Sequence, residues 1–230
     1  TVSKAKAYLQ QYEKFNSELP QLLDSARVYL NAIPKSENTK FSLEVYYFYL
    51  KNDFQAILNL VEKQDEGVII QTLKGLDWDN KDAWTAYRIG QAYQNSTNSI
   101  KAKIYYQEAI ALAPSVLEFQ EKLGLIAAKL QDWNLANDLL SQVVKSDPNR
   151  SESWSNLGFV YLQKGKQKEA ENCYKKALAL DPDYIQALLN LAGLYFQQGN
   201  NVQGEKALRN ILKIDPNHQQ AQYILQTIGA

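Results

Sequence analysis

The sequence predicts an all-α fold made of helical hairpins that repeat along the chain. Prolines recur 34 residues apart, at Pro114, Pro148, Pro182 and Pro216. Between them, small and apolar residues recur at the spacing of helix faces, which is clearest between Ser151 and Pro182. An interval of this length fits two short helices and a turn. Because one such hairpin cannot bury its apolar face alone, its neighbours must stack against it.

The segment 151–182 shows why each interval is expected to hold two helices. The first helix has one face marked by residues at i, i+3, i+4 and i+7, namely Trp154, Leu157, Gly158 and Tyr161. The second helix has a face marked at i, i+4 and i+7 by Ala170, Tyr174 and Ala177. A polar turn at 164–166 separates the two helices. Pro182 ends the second, because proline lacks the N–H and clashes with the preceding turn.

The N-terminal third also has a helical pattern. We predict helices over 3–15, 19–30, 41–50, 54–63 and 67–76, with a loop over 31–38 and a polar turn over 77–82. Asn52 and Asp53 form a turn and an N-cap for the helix that begins at Phe54. The segment 41–50 is apolar enough to pass for a buried strand, but its helical neighbours favour a helix.

From Ala83 onward the 34-residue period holds at four further sets of positions. These sets are Ile89, Leu123, Leu157 and Leu191; Gly90, Gly124, Gly158 and Ala192; Ala102, Ala136, Ala170 and Gly204; and Tyr106, Leu140, Tyr174 and Leu208. They define four units over 83–116, 117–150, 151–184 and 185–218, followed by a capping helix over 219–230. Residues 1–82 form an N-terminal helical region. Within it, 37–70 fits the period loosely, through Leu43, Tyr47, Ala56 and Leu60.

The unit 151–184 resembles the tetratricopeptide repeat, a 34-residue helix–turn–helix with a pattern of Trp, Leu-Gly, Tyr, Ala, aromatic, Ala and Pro. It matches that pattern at Trp154, Leu157, Gly158, Tyr161, Ala170, Tyr174, Ala177 and Pro182. In the other units Gln120 and Leu188 replace the Trp, and Ala127 replaces the Tyr. The resemblance covers 83–230. It implies a right-handed α-α superhelix, or solenoid, whose first helices line a concave groove.

The resemblance further implies a non-catalytic scaffold that binds a protein or peptide in this groove. The expected groove residues are Tyr87, Arg88, Gln91, Glu121, Lys122, Leu125, Asn156, Phe159, Leu162, Leu189, Asn190 and Phe196. Asn156 and Asn190 share a repeat position, and an amide that both donates and accepts could bind the backbone of an extended peptide. Its apolar side chains would contact Phe159, Leu162, Leu189 and Phe196. The alternative is that all these residues simply pack on their neighbours.

One subset of this family captures the C-terminal carboxylates of chaperones with a clamp of lysines, arginine and asparagines. This sequence lacks that clamp. Ser155 and Leu189 stand where a lysine is needed, and Phe159 and Gly193 stand where an asparagine is needed. The sequence therefore disfavours binding of chaperone tails.

Charge excludes several classes of partner. The chain carries 25 basic and 25 acidic residues, with ten and twelve in 1–82 and fifteen and thirteen in 83–230. Neither part has the positive field that nucleic acid or an anionic membrane surface requires. No apolar run reaches the roughly 18–20 residues of a membrane span, so no membrane insertion is expected. The compartment stays open, with the cytoplasm favoured over the periplasm.

The sequence predicts neither an enzyme nor a cofactor or metal site. A metal or acid–base role for His218, the one histidine, would need partners that its turn does not supply. Cys173 has no histidine near it in sequence to activate the thiol. Asp77, Asp79 and Asp82 lack the glycine and distal glutamate of a calcium loop.

The alternative function is a structural or assembly module that self-associates or serves as the recognition domain of a larger polypeptide. The consecutive aromatic residues at 46–49 motivate it, because a helix apolar on all sides must be covered by something. The chain begins at Thr1 and contains no methionine. We therefore expect Thr1 to mark a processing, cloning or domain boundary, with further sequence before it.

Overall fold

A computed structural model describes residues 2–14, 20–34, 38–64, 69 and 81–229. Over these residues the regular secondary structure is helical, which confirms the predicted all-α class. The described residues form thirteen helices: α1 Val2–Lys14, α2 Pro20–Asn31, α3 Asn38–Leu50, α4 Phe54–Val61, α5 Lys81–Asn95, α6 Ser99–Leu112, α7 Leu117–Lys129, α8 Trp133–Ser146, α9 Ser151–Gln163, α10 Gln167–Leu180, α11 Ile185–Gln197, α12 Asn201–Ile214 and α13 Gln219–Thr227. The helix predicted over 67–76 lies outside the described residues, apart from Ile69.

The chain divides into two compact units, Thr1–Phe119 and Gln120–Ala230. Unit 1 holds α1 to α6 and the first turn of α7. Unit 2 holds the rest of α7 and the helices α8 to α13. The boundary that we predicted between residues 82 and 83 stays a prediction.

In unit 1, α1 packs on α2 and α3, and α3 packs in turn on α4 and α5. The core between them includes Leu9, Leu30 and Leu43. The apolar segment 41–50 lies in a helix, as predicted, and not in a strand. Of the aromatic residues at 46–49, Tyr46 and Tyr47 are 8% and 5% exposed, and Phe48 and Tyr49 are half-buried. Packing inside unit 1 thus accounts for part of the apolar surface that motivated self-association.

In unit 2, the hairpins α9–α10 and α11–α12 stack so that each second helix contacts the first helix of the next hairpin. The first helices α9 and α11 also contact each other, and α13 packs on α12. The large residues Leu140, Tyr174 and Leu208 are fully buried. The helices therefore pair and stack as the repeat pattern predicts.

Glycines allow the two helices of a hairpin to cross closely. A β-carbon on Gly158 would lie 2.7 Å from a ring carbon of Tyr174. At the equivalent position Gly90, a β-carbon would lie 2.8 Å from the Tyr106 ring. In the last hairpin the glycine is on the second helix, and a β-carbon on Gly204 would lie 2.7 Å from Phe196. The predicted role of Gly158 at the crossing is confirmed.

The turn inside each hairpin uses the same backbone conformation with different residues. One repeat position has a positive φ throughout, at Thr97 (64°), Gln131 (61°), Gly165 (73°) and Gly199 (73°). Three of the four second helices then begin with a side-chain N-cap, at Asn98, Asp132 and Asn200. Lys166 stands at this position in the third hairpin and provides no cap.

The hairpin α3–α4 has the same turn. Asn52 has a φ of 56°, and the Asp53 carboxylate accepts a hydrogen bond from the backbone N–H of Ala56 at 3.0 Å. The predicted turn and N-cap are confirmed. Counting from Asn52, the buried positions of the second helix fall on Ile57 and Val61, which are 0% and 2% exposed. Ala56 and Leu60 are only half-buried, so the buried pair lies one residue later than we predicted.

The prolines lie at equivalent corners between hairpins. Asp147, Asp181 and Asp215 end three second helices with φ between −137° and −127° and ψ between 90° and 94°. Each carboxylate accepts a hydrogen bond from the backbone N–H two residues later, at 3.0 to 3.2 Å. Ala113 ends the first of these second helices with a similar backbone, φ −143° and ψ 79°. A proline follows each of the four residues.

We predict that Gly158→Ala lowers the free energy of unfolding by about 1–3 kcal/mol, because its methyl group would overlap the Tyr174 ring. The matched control is Gly193→Ala on a first helix, where no atom lies within 4 Å of the added carbon. That variant should gain about 0.5–1 kcal/mol from helix propensity. Urea unfolding followed by circular dichroism measures both changes. Equal shifts of the same sign would contradict the crossing as the cause.

Candidate functional site

The predicted groove residues are divided between the two units. Tyr87, Arg88 and Gln91 lie on α5 in unit 1. The other nine lie in unit 2, on α7, α9 and α11. All twelve are on first helices, but the structure places them in different surroundings.

Tyr87 is part of the packing of unit 1. Its side chain is 2% exposed, and its ring centroid lies 5.1 Å from that of Phe119. The phenol donates a hydrogen bond to Glu118 and accepts one from Gln91 Nε2 at 3.1 Å. Burial, and then the hydrogen bond to Glu118, raise the pKa of Tyr87 far above its usual value. The residue therefore links α5 to the start of α7 and offers little surface to a ligand.

Arg88 is also engaged inside unit 1. It is 9% exposed, and its guanidinium lies 4.2 Å from the ring centroid of Tyr46 and 5.1 Å from that of Tyr49. Such cation–π contacts stabilise a desolvated cation. Arg88 thus holds α5 against α3 and is unavailable to a ligand in the groove.

Glu121 holds α7 against the start of α9 in unit 2. It is 7% exposed and accepts hydrogen bonds from Arg150 Nη1 at 2.7 Å and from the Ser153 hydroxyl. Arg150 Nε also donates to Asp147 at 3.1 Å. A buried carboxylate is tolerated only when it is paired and hydrogen-bonded in this way. This predicted groove residue is therefore part of a link between repeats.

The remaining predicted residues keep accessible surface. Phe159 is 39% exposed, and the others are half-buried: Gln91, Lys122, Leu125, Asn156, Leu162, Leu189, Asn190 and Phe196. The Phe159 ring meets Trp133 edge to face, with centroids 6.2 Å apart. Asn190 Oδ1 accepts from Gln186 Nε2 at 3.1 Å. The Nδ2 atom of Asn156 is buried without a hydrogen-bond partner.

Four residues of these arrangements were missed from the sequence. They are Glu118, Trp133, Arg150 and Ser153, the partners of Tyr87, Phe159 and Glu121. The sequence gives no signal for these contacts, because Glu118 and Glu121 share their side of α7 with the charged Lys122.

The model of the cilia and flagella-associated protein 70 C-terminal domain matches residues 68–230 of the chain. The chain belongs to this tetratricopeptide repeat family. The match covers the four repeats and the capping helix and begins shortly before them.

Among related proteins, human tetratricopeptide repeat protein 7B is 30% identical over 91 residues, which are 40% of this chain and 11% of that protein. The photosystem I assembly protein Ycf3 of Acaryochloris marina is 34% identical over 96 residues, which are 40% of this chain and 58% of Ycf3. The solved structure of YrrB, titled a TPR protein with an unusual peptide-binding site, is 18% identical. It has a TM-score of 0.67 and covers 96% of this chain and 99% of YrrB. The TPR fold is thus confirmed, and the chain spans only part of the curated relatives.

His218 and Cys173, the remaining candidates for a chemical role, have structural roles in this TPR protein. His218 is half-buried, and its Nδ1 accepts a hydrogen bond from the backbone N–H of Ala221 at 3.2 Å, so it caps α13. Cys173 is 5% exposed, and burial raises the pKa of its thiol to about 11. Among the described residues, no three His, Cys, Asp or Glu side chains are grouped closely enough to hold a metal ion. None of the described helices is both long and apolar enough to cross a bilayer.

We predict that Cys173 reacts slowly with a thiol reagent such as DTNB. The thiolate is the reactive form, and at pH 8 a thiol with a pKa of about 11 is ionised about 100-fold less than an ordinary one. The absorbance change on mixing measures the rate, with the same chain in denaturant as the control. A native rate within threefold of the denatured rate would contradict the burial of this thiol.

We predict that the pair Glu121–Arg150 is energetically coupled by about 1 kcal/mol in a double-mutant cycle with alanine, because Glu121 is buried. The Arg150 side chain is 35% exposed, and solvent screening limits the coupling to that order. The pair Glu205–Arg209 is the matched control, with an equal distance of 2.7 Å but an exposed position on α12. Its coupling should stay below about 0.5 kcal/mol. Equal couplings from chemical denaturation would contradict the role of burial.

Proposed function

We propose that the protein is a non-catalytic scaffold that binds an extended protein or peptide segment on the first helices of unit 2. The observation that carries the proposal is Phe159, a large aromatic residue held 39% exposed on α9. Asn156 lies three residues earlier, on the same face of this helix. An extended peptide could pack an apolar side chain against this ring and hydrogen-bond its backbone to the neighbouring amide.

The chemistry of this face suits a peptide backbone. Asn156 Nδ2 is a buried donor without a partner, and leaving such a donor unpaired costs free energy. A backbone carbonyl of a bound segment would satisfy it once the half-buried Asn156 side chain turns this atom toward the surface. Asn190, at the same repeat position on α11, retains its Nδ2 donor because its Oδ1 is the atom that accepts from Gln186. Alternate side chains of the segment would then pack against the exposed ring of Phe159.

The proposed contact set is smaller than the predicted one. Tyr87, Arg88 and Glu121 are used in packing, so they are left out. Lys122 and Leu125 keep some surface but have no feature that points to a ligand. Gln91 lies in unit 1, and its Nε2 is used in the hydrogen bond to Tyr87. The proposed contacts are Asn156, Phe159, Leu162, Leu189 and Asn190, with Phe196 partly occupied by its packing over Gly204.

The relatives support a role in protein binding. YrrB is described as having an unusual peptide-binding site, and Ycf3 is a photosystem I assembly protein. The chain matches 11% of tetratricopeptide repeat protein 7B, which fits a recognition module of a larger polypeptide. Self-association has weaker support, since Tyr46 and Tyr47 are buried inside unit 1 and only Phe48 and Tyr49 of the aromatic residues 46–49 keep accessible surface.

A selection experiment tests the proposal. A displayed library of random peptides is panned against the immobilised chain, and the enriched peptides are synthesised and measured by fluorescence anisotropy. We expect Phe159→Ala to weaken binding at least about tenfold, because such an aromatic contact contributes on the order of 1.4 kcal/mol. Asn156→Ala together with Asn190→Ala should weaken it to a similar extent.

The control is Val202→Ala, which removes an apolar side chain that is 76% exposed on the second helix α12. It should change the affinity less than about twofold. The proposal fails if no peptide is enriched. It also fails if the enriched peptides bind Phe159→Ala and the double asparagine variant as tightly as they bind the unaltered chain.

A further inference from the structure

Gly193 differs from the glycines at the hairpin crossings. It lies in the interior of α11, where glycine costs about 1 kcal/mol relative to alanine. A β-carbon on Gly90, Gly124, Gly158 or Gly204 would overlap or crowd a neighbouring side chain. On Gly193 it would meet no atom within 4 Å, and the residue is exposed. Neither a helix crossing nor a turn therefore requires a glycine at this position. The effect of the glycine is to leave open space on the surface of the helix.

The open space lies level with Phe159. The two residues are 34 positions apart, one repeat, and their helices α9 and α11 contact each other. Trp133 supports the Phe159 ring from α8, with its own ring edge to face. A supported aromatic ring and an open stretch of helix thus occupy the same repeat position on two first helices that contact each other.

The two helices that carry Phe159 and Gly193 are almost free of charged residues. Helix α11 has no charged residue among its thirteen. Helix α9 has one, Glu152, at its second residue. A charged side chain placed between these helices would lose hydration without gaining an opposite charge, which is costly. A large apolar side chain would instead gain by leaving water and by packing on the Phe159 ring.

We infer that Gly193 and Phe159 form a pocket that selects a partner segment carrying a bulky, uncharged apolar side chain such as Trp, Phe or Leu. The inference rests on the proposed function and adds the class of side chain that the site takes. It assigns Gly193 a role in specificity, because any side chain at 193 would occupy the space that the ligand needs.

The test uses the peptides enriched on the unaltered full-length chain. We expect them to share a bulky apolar residue at one fixed position. Changing that residue to Ala should weaken binding at least about tenfold, and changing it to Lys or Glu should weaken it further. The variant Gly193→Leu should bind the original peptides at least about tenfold more weakly. On that variant, the change of the peptide residue to Ala should have little further effect.

Two variants at Gly193 are used so that the test can still be read if one of them does not fold. A β-carbon at 193 lies in open space and both replacements are better helix formers than glycine, so the thermal midpoints of Gly193→Ala and Gly193→Leu should be equal to or above that of the unaltered chain. If Gly193→Leu unfolds, Gly193→Ala carries the test, with binding expected to weaken about threefold while stability rises. An affinity within twofold of the unaltered chain for both folded variants overturns the inference.

The outcomes separate the inference from the proposed function. If binding depends on Phe159 and the two asparagines but not on Gly193, the proposed function stands and the pocket is rejected. The pocket is also rejected if the enriched peptides share a charged residue in place of an apolar one. If no peptide is enriched, both are rejected.

Discussion

The structure depends on the close crossing of two helices within each hairpin. In the third repeat, Gly158 and Tyr174 make this contact, and no side chain larger than glycine fits against the ring. The last repeat reaches the same closeness with the glycine on the other helix, Gly204 under Phe196. In the second repeat Gly124 lies opposite Leu140. What is constrained is thus one small residue opposite one large side chain, whichever helix supplies each. This contact fixes how the two helices of a hairpin cross, and the crossing determines which of their faces stack against the next hairpin.

Polar side chains buried between successive first helices fix the repeats to one another. In unit 1 the Tyr87 phenol donates a hydrogen bond to Glu118. In unit 2 Glu121 accepts hydrogen bonds from Arg150 and from the Ser153 hydroxyl. These bonds occupy some of the predicted groove positions of the earlier repeats, namely Tyr87 and Glu121. The uncharged accessible surface lies on α9 and α11, where no comparable link is formed. A first-helix position that links two repeats is thus withdrawn from the accessible surface.

The sequence alone predicted the features that depend on local spacing. The helix pairs, the proline corners and the role of Gly158 are examples, since each follows from residues within one 34-residue interval. It could not predict that Tyr87 and Glu121 would be buried, because their partners lie about 30 residues away and depend on side-chain reach. It also placed the buried pair of the α3–α4 hairpin one residue early, because no proline or glycine marks the register there.

The hairpin turns show how a repeat can change its sequence and keep its shape. Thr97, Gln131 and Gly165 adopt one left-handed conformation, although only glycine does so without strain. An N-cap follows this residue at Asn98, Asp132 and Asn200, and Asn52 and Asp53 form the same pair without the 34-residue period. A turn of this kind can therefore accept different side chains as long as its left-handed residue is kept, and the α3–α4 hairpin has the turn where the consensus letters of the repeat are absent.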